Sequence, residues 1–147
     1  MVEHVLVPTD GSDRAIRALE FALEEHQGAN ITLLTVINPD YFYHPFPDEG
    51  DTTTTYAHPD EVLENQEEFA EKIFEHTIEG ANAEDAGIKT EYVVGRVARS
   101  IEEFIEDEDV DHVILGSHGR TGVSRILLGS VAEKVVRRSP VPVTIIR

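Results

Sequence analysis

The sequence predicts an α/β fold: one open, parallel five-stranded sheet of strand order 3-2-1-4-5, doubly wound, with helices on both faces. Short runs of Val, Ile and Leu alternate along the chain with segments whose apolar residues recur at helical spacing. The runs are nearly continuous, which is typical of parallel strands that helices cover on both sides. Right-handed crossovers join such strands, and the length suits one domain, so we expect residues 1–147 to form a single unit.

The first half of the chain supplies two strands and two helices. Residues 4–8 form a short apolar strand that a proline ends. Residues 12–27 carry apolar side chains on one helical face; a Ser-Asp pair can cap this helix at its start, and Gly28 ends it. Residues 31–37 form the second strand, and residues 60–85 form the second helix.

Between that strand and that helix, residues 38–60 contain four prolines, a Thr run and scattered aromatic residues without any period. This composition predicts a long surface loop.

The second half continues the alternation. Residues 88–94 form the third strand, and residues 97–105 carry the core face of the third helix. Residues 110–115 form the fourth strand, which leads into a glycine-rich stretch. Residues 131–136 mark the fourth helix, and residues 142–146 form the last strand.

Charge excludes one large class of partner. The chain has 12 basic and 29 acidic residues, a formal net charge of −17 and a pI near 4.6. Nucleic-acid binding depends on basic patches, so DNA and RNA are not expected as partners. The basic residues are nine Arg and only three Lys. An acidic, Lys-poor surface suits a halophilic protein in a salty cytoplasm, where charge repulsion is screened; an acidic mesophilic protein is the alternative.

The sequence also lacks cysteine and long apolar runs, which excludes further classes of protein. Without cysteine, the chain can form no disulfide scaffold, thiolate metal site or thiol nucleophile. No apolar run has the ~18–20 residues that a membrane span needs. Charged Glu3 precedes only a short apolar run, unlike a secretory signal, so we expect a cytoplasmic protein.

Two loops at strand ends hold the candidate chemistry: residues 8–12, and the stretch that begins at Gly116. In the second loop, Gly116, Gly119, Gly129 and Ser130 form the pattern G-x2-G-x9-G-S. Glycines let backbone N–H groups approach an anion closely, and a helix N-terminus favours a phosphate. Alternatively, the glycines serve only turns and Ser130 only caps a helix. The P-loop and dinucleotide signatures are absent.

These segments carry a family resemblance. The opening residues Val-Leu-Val-Pro-Thr-Asp-Gly-Ser at 5–12 and the whole stretch 116–147 resemble the universal stress protein family, and the order of elements matches over essentially the entire chain. Within that family, the G-x2-G-x9-G-[ST] motif marks the branch that binds ATP. The resemblance therefore implies that ATP, with accompanying Mg²⁺ or Mn²⁺, is the ligand of this chain.

The resemblance also implies a nucleotide site. By position in this sequence, its residues are Pro8, Thr9, Asp10, Val36, Gly116, Ser117, His118, Gly119, Arg120, Gly129, Ser130 and Val131. Asp10 would lie near the adenine and ribose and could hold a hydrated Mg²⁺, although an Asp before a glycine also suits a simple turn. The backbone of Val36 would contact the adenine edge. Residues 129–131 would cradle the triphosphate.

The implied function is a stress-response module that binds ATP and acts as a nucleotide-dependent switch or interaction partner. No catalytic residue is assigned, and any hydrolysis should be slow because the loops offer no phosphate-binding Lys and no evident base. The alternatives are a slow ATP hydrolase and an interaction protein that no longer uses the site. Family members commonly dimerise through the last strand, so we expect a homodimer through residues 141–146, whose apolar edge otherwise stays exposed.

Overall fold

The computed structural model describes residues 2–38, 65–117 and 129–147. Within these ranges, strands and helices alternate along the chain. They are β1 (His4–Pro8), α1 (Asp13–Glu25), β2 (Asn30–Ile37), α2 (Gln66–Gly80), β3 (Lys89–Val94), α3 (Val97–Asp107), β4 (His112–Gly116), α4 (Ser130–Arg138) and β5 (Val143–Ile146).

The five strands form one parallel sheet in the order β3-β2-β1-β4-β5, which confirms the predicted topology. Winding reverses between β1 and β4. The central strands are buried on both faces, as their apolar runs predict, whereas the edge strands β3 and β5 remain half-exposed.

Each face of the sheet carries its own apolar cluster. On one face, α1 and α2 pack Leu19 and Phe74 against Val7 and Leu33 of the sheet. On the other face, α3 and α4 pack residues such as Ile101 and Val135 against alternate strand residues such as Leu6. Successive strand side chains point to opposite faces, so both helix layers use the same strands.

Several element ends differ from the predicted ones. The first helix ends at Glu25, with His26 as its C-cap, and Gly28 adopts φ +88° in the following turn instead of ending the helix. The second helix begins at Gln66 and ends at Gly80, well before residue 85. It ends there because the next turn is left-handed: Asn82 has φ +52°, and the N–H of Ala83 returns to the carbonyl of Ile78.

β4 begins at His112, later than the predicted start at residue 110, because α3 also ends in a left-handed turn. Asp109 has φ +50°, and the N–H of Val110 returns to the carbonyl of Ile105, so Val110 closes α3 and does not begin the strand. Residues 39–64, which include nearly all of the predicted surface loop, lie outside the described ranges. No helix within the described ranges is long and apolar enough to cross a membrane.

A histidine pair lies at the amino end of the sheet. The rings of His26 and His112 have centroids 5.1 Å apart, and His112 Nε2 is 2.7 Å from Thr144 Oγ1. Burial, and secondarily the charge of His26, lowers the pKa of His112 below its ordinary value. The folded protein therefore resists protonation of this ring more than the unfolded chain does.

We expect His112 to make folding stability pH-dependent. As the pH falls through about 6.5, the unfolded chain takes up a proton at this ring first, so the free energy of unfolding decreases until the lowered folded-state pKa is passed. Urea unfolding of the wild type and of His112→Gln at about pH 7.5 and about pH 5.5 checks this. The wild type should lose more stability between the two conditions than the variant; equal losses would contradict the assignment.

Candidate functional site

The carboxyl ends of β1 and β4 lie side by side where the winding of the sheet reverses, and we call the region beside these two strand ends the crevice. The chain leaving β1 enters α1 on one face of the sheet, and the chain leaving β4 leads to α4 on the other face. In open parallel sheets, ligands bind where the winding reverses in this way, because two loops diverge there and leave a gap. The turn after β1 and the described start of the second loop, Gly116 and Ser117, therefore lie at the predicted position.

The turn after β1 is held by its own side chains. Asp10 is half-buried, and its Oδ1 accepts a hydrogen bond from the N–H of Ser12 at 2.9 Å. Ser12 is the N-cap of α1, since its Oγ accepts from the N–H of Ala15 at 3.3 Å. The turn interpretation of Asp10 is thus correct for one carboxylate oxygen, and Ser12 is the cap.

Thr9 anchors this turn through a chain of buried hydroxyl groups. Its Oγ1 lies 2.8 Å from Oγ1 of Thr77 on α2 and accepts from the N–H of Gly11 at 3.1 Å. Thr77 gives its only hydroxyl proton to the carbonyl of Ile73 at 2.7 Å, so Thr9 must be the donor to Thr77. The backbone of Thr9 is also held, because Oγ1 of Thr35 donates to its carbonyl at 2.7 Å. The Thr9 side chain therefore anchors the turn after β1 to α2.

We expect the Thr9 and Thr77 hydroxyls to be energetically coupled. Thr77→Val leaves a buried donor without its acceptor and should cost roughly 1–3 kcal/mol of unfolding free energy. Thr9→Val should also destabilise, but the double variant should lose less than the sum of the two, because no hydroxyl of the pair is then left unsatisfied. Urea denaturation of the three variants measures the coupling; strict additivity would show that the hydroxyl contact contributes nothing.

Gly116, at the end of β4, makes room for α1. A Cβ placed on Gly116 would lie 2.9 Å from Cβ of Arg14 and 3.1 Å from its carbonyl carbon, closer than packed atoms tolerate. The first turn of α1 thus rests directly on the strand backbone. The sequence interpretation gave Gly116 to the ligand loop, and the structure adds this packing role.

Ser117 ties the two sides of the crevice together. It is buried, its N–H donates to the carbonyl of Ile146 on β5 at 2.8 Å, and its carbonyl accepts from the N–H of Gly129 at 2.6 Å. The start of α4 is therefore fastened to the end of β4. Gly129 and Ser130 are brought to the same crevice as Asp10 by this bond and by the pairing of β1 with β4.

The start of α4 offers backbone donors to a ligand. Gly129 is the N-cap of this helix, not Ser130, and no side chain in the described part of the protein caps it. Ser130 is the first helical residue and is exposed, so the interpretation of Ser130 as an N-cap is wrong. The first N–H groups of a helix have no partner within it, and together with the helix dipole they favour an anion.

The remaining predicted residues divide into two groups. Pro8 is buried, and the partly buried side chains of Val36 and Val131 pack against the cluster under α3 and α4. His118, Gly119 and Arg120 lie outside the described residues.

Sequence reasoning missed two residues of the site. Thr77 comes from a distant helix, and nothing in its local sequence indicates a contact with Thr9. Arg14 packs on Gly116, and its Nε is buried without a hydrogen-bond partner in the described part of the chain. Its position two residues after Ser12, in the first turn of α1, was the available signal.

The described residues contain no dedicated metal centre. No group of three or more His, Cys, Asp or Glu side chains that could hold a metal ion occurs within residues 2–38, 65–117 and 129–147. Asp10 is a single carboxylate with one oxygen engaged by Ser12. Mg²⁺ at such a place would take most of its ligands from water and from a bound phosphate.

Comparison with known proteins gives a consistent result. A family model described as the universal stress protein family matches residues 1–147. Universal stress protein MJ0577 of Methanocaldococcus jannaschii is 32% identical over 157 residues, which cover 100% of this chain and 96% of that protein.

Solved structures of universal stress proteins are similar in fold to this chain. The universal stress protein UspA from Lactobacillus plantarum superposes with a TM-score of 0.75 at 27% identity, covering 99% of this chain and 98% of that one. A more distant universal stress protein, in complex with cAMP, superposes with a TM-score of 0.62 at 23% identity, covering 99% and 97%. The likeness to this last structure supports the fold alone. The family match over the whole length, together with a relative above 30% identity, shows that this chain belongs to the universal stress protein family.

Proposed function

We propose that this chain binds ATP in the crevice between the ends of β1 and β4 and acts as a nucleotide-dependent switch or interaction partner in a stress response. The observation that carries the proposal is the start of α4. Among residues 2–38, 65–117 and 129–147 no side chain caps its N-terminus, and the 2.6 Å bond from Gly129 to Ser117 fastens it to the end of β4. A phosphate chain would meet there the first N–H groups of the helix, which have no partner within the helix itself.

Each part of the nucleotide has a candidate contact. Gly129, Ser130 and Val131 would receive the phosphates through backbone N–H groups and the exposed Ser130 hydroxyl. Asp10 would receive the ribose, and the backbone of Val36 the adenine edge. Gly116, Ser117, His118, Gly119 and Arg120 would complete the loop between ribose and phosphates, as the family resemblance implies.

The site fits a Mg²⁺ that arrives with the nucleotide. Asp10 supplies one carboxylate, and the bound phosphates and water would supply the other ligands. When bound, the ion would offset phosphate charge in a chain of net charge −17. The proposed location is the cytoplasm, where ATP is abundant.

Identification of the co-purified nucleotide tests the proposal most directly. The protein is purified without added ligand and denatured, and the released small molecules are identified by mass spectrometry. Calorimetric titration of the stripped protein with ATP, with and without Mg²⁺, and with cAMP and AMP then ranks the ligands. Tight ATP binding that Mg²⁺ strengthens supports the proposal, and release of ADP over hours would favour the slow hydrolase. Absence of binding to all three nucleotides would favour the interaction protein that has lost the site.

We further propose a homodimer through β5. The N–H of Val113 bonds to the carbonyl of Pro142 and that of Ser117 to Ile146, so alternate residues face β4. The backbone groups of Val143 and Ile145 therefore face away from the sheet, where an apolar strand edge invites a partner strand.

We expect Val143→Pro to convert the dimer to a monomer. Proline removes an N–H that faces outward and leaves the bonds to β4 intact, and proline is tolerated at the first residue of an edge strand. Light scattering in high salt gives the mass of both forms, and circular dichroism verifies the fold. A monomeric wild type would exclude this dimer.

A further inference from the structure

The outer edge of β3 has no paired strand among the described residues. Within the described residues, β3 pairs only with β2. The N–H of Gly95 donates to the carbonyl of Ile37 at 2.9 Å, which sets the alternation of backbone groups along this strand. The N–H and C=O groups of Thr90, Tyr92 and Val94 consequently point away from the sheet. Such a row of unpaired donors and acceptors is what an added strand requires.

A groove runs beside this edge, on the face that α3 covers. The β3–α3 groove has a volume of about 540 Å³ and is lined by residues 90–94 and by side chains from the outer side of α3. Val93 and Phe104 belong to the cluster under α3 and give the groove an apolar floor. Val94, at its end, is 44% exposed, one of the few large apolar side chains so exposed among the described residues.

The rim of the groove is acidic. Its lining includes four carboxylates, Glu91, Glu103, Asp107 and Glu108, and none of the described lining residues is basic. Lys89 and Arg99, beside the groove, partly neutralise Glu91 and Glu103 at 3.6 and 3.1 Å. No ion pair found among the described residues includes the other two carboxylates.

We infer that the β3–α3 groove binds an extended segment of a partner protein that carries Lys or Arg at every second position. Alternate side chains of a strand added to β3 would all enter the groove, because strand side chains alternate between faces. Lys and Arg can lay their aliphatic stems on Val93 and Phe104 and place their charges against the carboxylates. A second copy of this chain is disfavoured as occupant when the same edges pair, since it would place its own acidic rim against this one.

Amide hydrogen exchange with a defined peptide tests this inference. The probe is a short synthetic peptide of alternating Lys and Val, and its control has Glu in place of Lys. On the ¹⁵N-labelled full chain, the Lys peptide should protect the amides of Thr90, Tyr92 and Val94. The amides of Glu91 and Val93 face β2 and should change little. The Glu peptide should not bind.

Matched charge reversals give the second measurement. Asp107→Lys should weaken peptide binding about tenfold, because an attractive contact becomes a repulsive one. Glu106→Lys changes the net charge equally on the same helix but lies outside the groove lining, so it should have little effect. Equal effects of the two variants, or unprotected amides at Thr90, Tyr92 and Val94 with bound peptide, would overturn the inference. So would protection of these amides before peptide is added, since the edge would then already be occupied.

Discussion

Gly129→Val should abolish ATP binding while the protein stays folded. Gly129 has φ −64° and ψ 159°, an extended conformation that any residue adopts, and valine favours it. The substitution therefore introduces no backbone strain. Its effect should arise from the added side chain, which fills the space where phosphate would approach the first N–H groups of α4. Calorimetric titration with Mg-ATP measures the loss, and circular dichroism checks the fold.

Graded variants make this result interpretable. Gly129→Ala adds only a Cβ and should weaken binding less than valine does. Ser130→Ala removes one hydrogen bond to a charged group and should cost roughly 1.5–3 kcal/mol of binding free energy. Asp10→Ala should weaken binding through lost ribose or metal contacts. If folded Gly129→Val bound ATP as the wild type does, the phosphate site would not lie at α4, and the interaction-protein alternative would replace the proposal.

The midpoint of thermal unfolding should rise strongly with salt. A net charge of −17 on a folded chain of 147 residues produces self-repulsion that screening relieves, since the Debye length falls from ~10 Å at 0.1 M to ~3 Å at 1 M. Most of the ion pairs found among the described residues join exposed side chains, as in Lys72–Glu68 at 3.8 Å, and contribute little. Between about 0.05 M and about 2 M KCl we expect a rise of about 10 °C, corresponding to roughly 3 kcal/mol.

A charge-reduced variant separates repulsion from other salt effects. Glu24→Gln, Glu71→Gln, Glu75→Gln and Glu106→Gln together remove four negative charges at exposed positions that enter none of the described ion pairs. Salt also strengthens apolar burial, but that contribution should be the same in both proteins. The variant should therefore show a smaller rise than the wild type. Identical rises would argue against self-repulsion and against adaptation to high salt.

The parallel sheet with helices on both faces could be predicted because its central strands are buried on both faces and therefore consist of nearly continuous apolar runs, as in residues 31–37. Helix ends were harder to predict. The ends at Gly80 and Asp107 depend on left-handed backbone at Asn82 and Asp109, which these residue types permit without requiring it. Boundaries set by one dihedral angle leave little trace in the apolar pattern.

The contacts of the candidate site also differ in how well the sequence predicts them. Residues near one another in the chain, such as Asp10 and Ser12, could be assigned to one turn from the sequence. The contact between Thr9 and Thr77 spans 68 positions and depends on how α2 packs on the sheet, so no local pattern predicts it. The packing of Arg14 on Gly116 was missed for the same reason.

The two glycines at the crevice differ in what a mutational scan would report. At Gly116, every side chain meets the backbone of α1, so variants should be lost from a library selected only for folded protein. At Gly129, side chains are compatible with the backbone, so variants should survive that selection and disappear only when nucleotide retention is selected. Comparing the two selections thus separates architecture from ligand recognition, although both glycines belong to the same sequence motif.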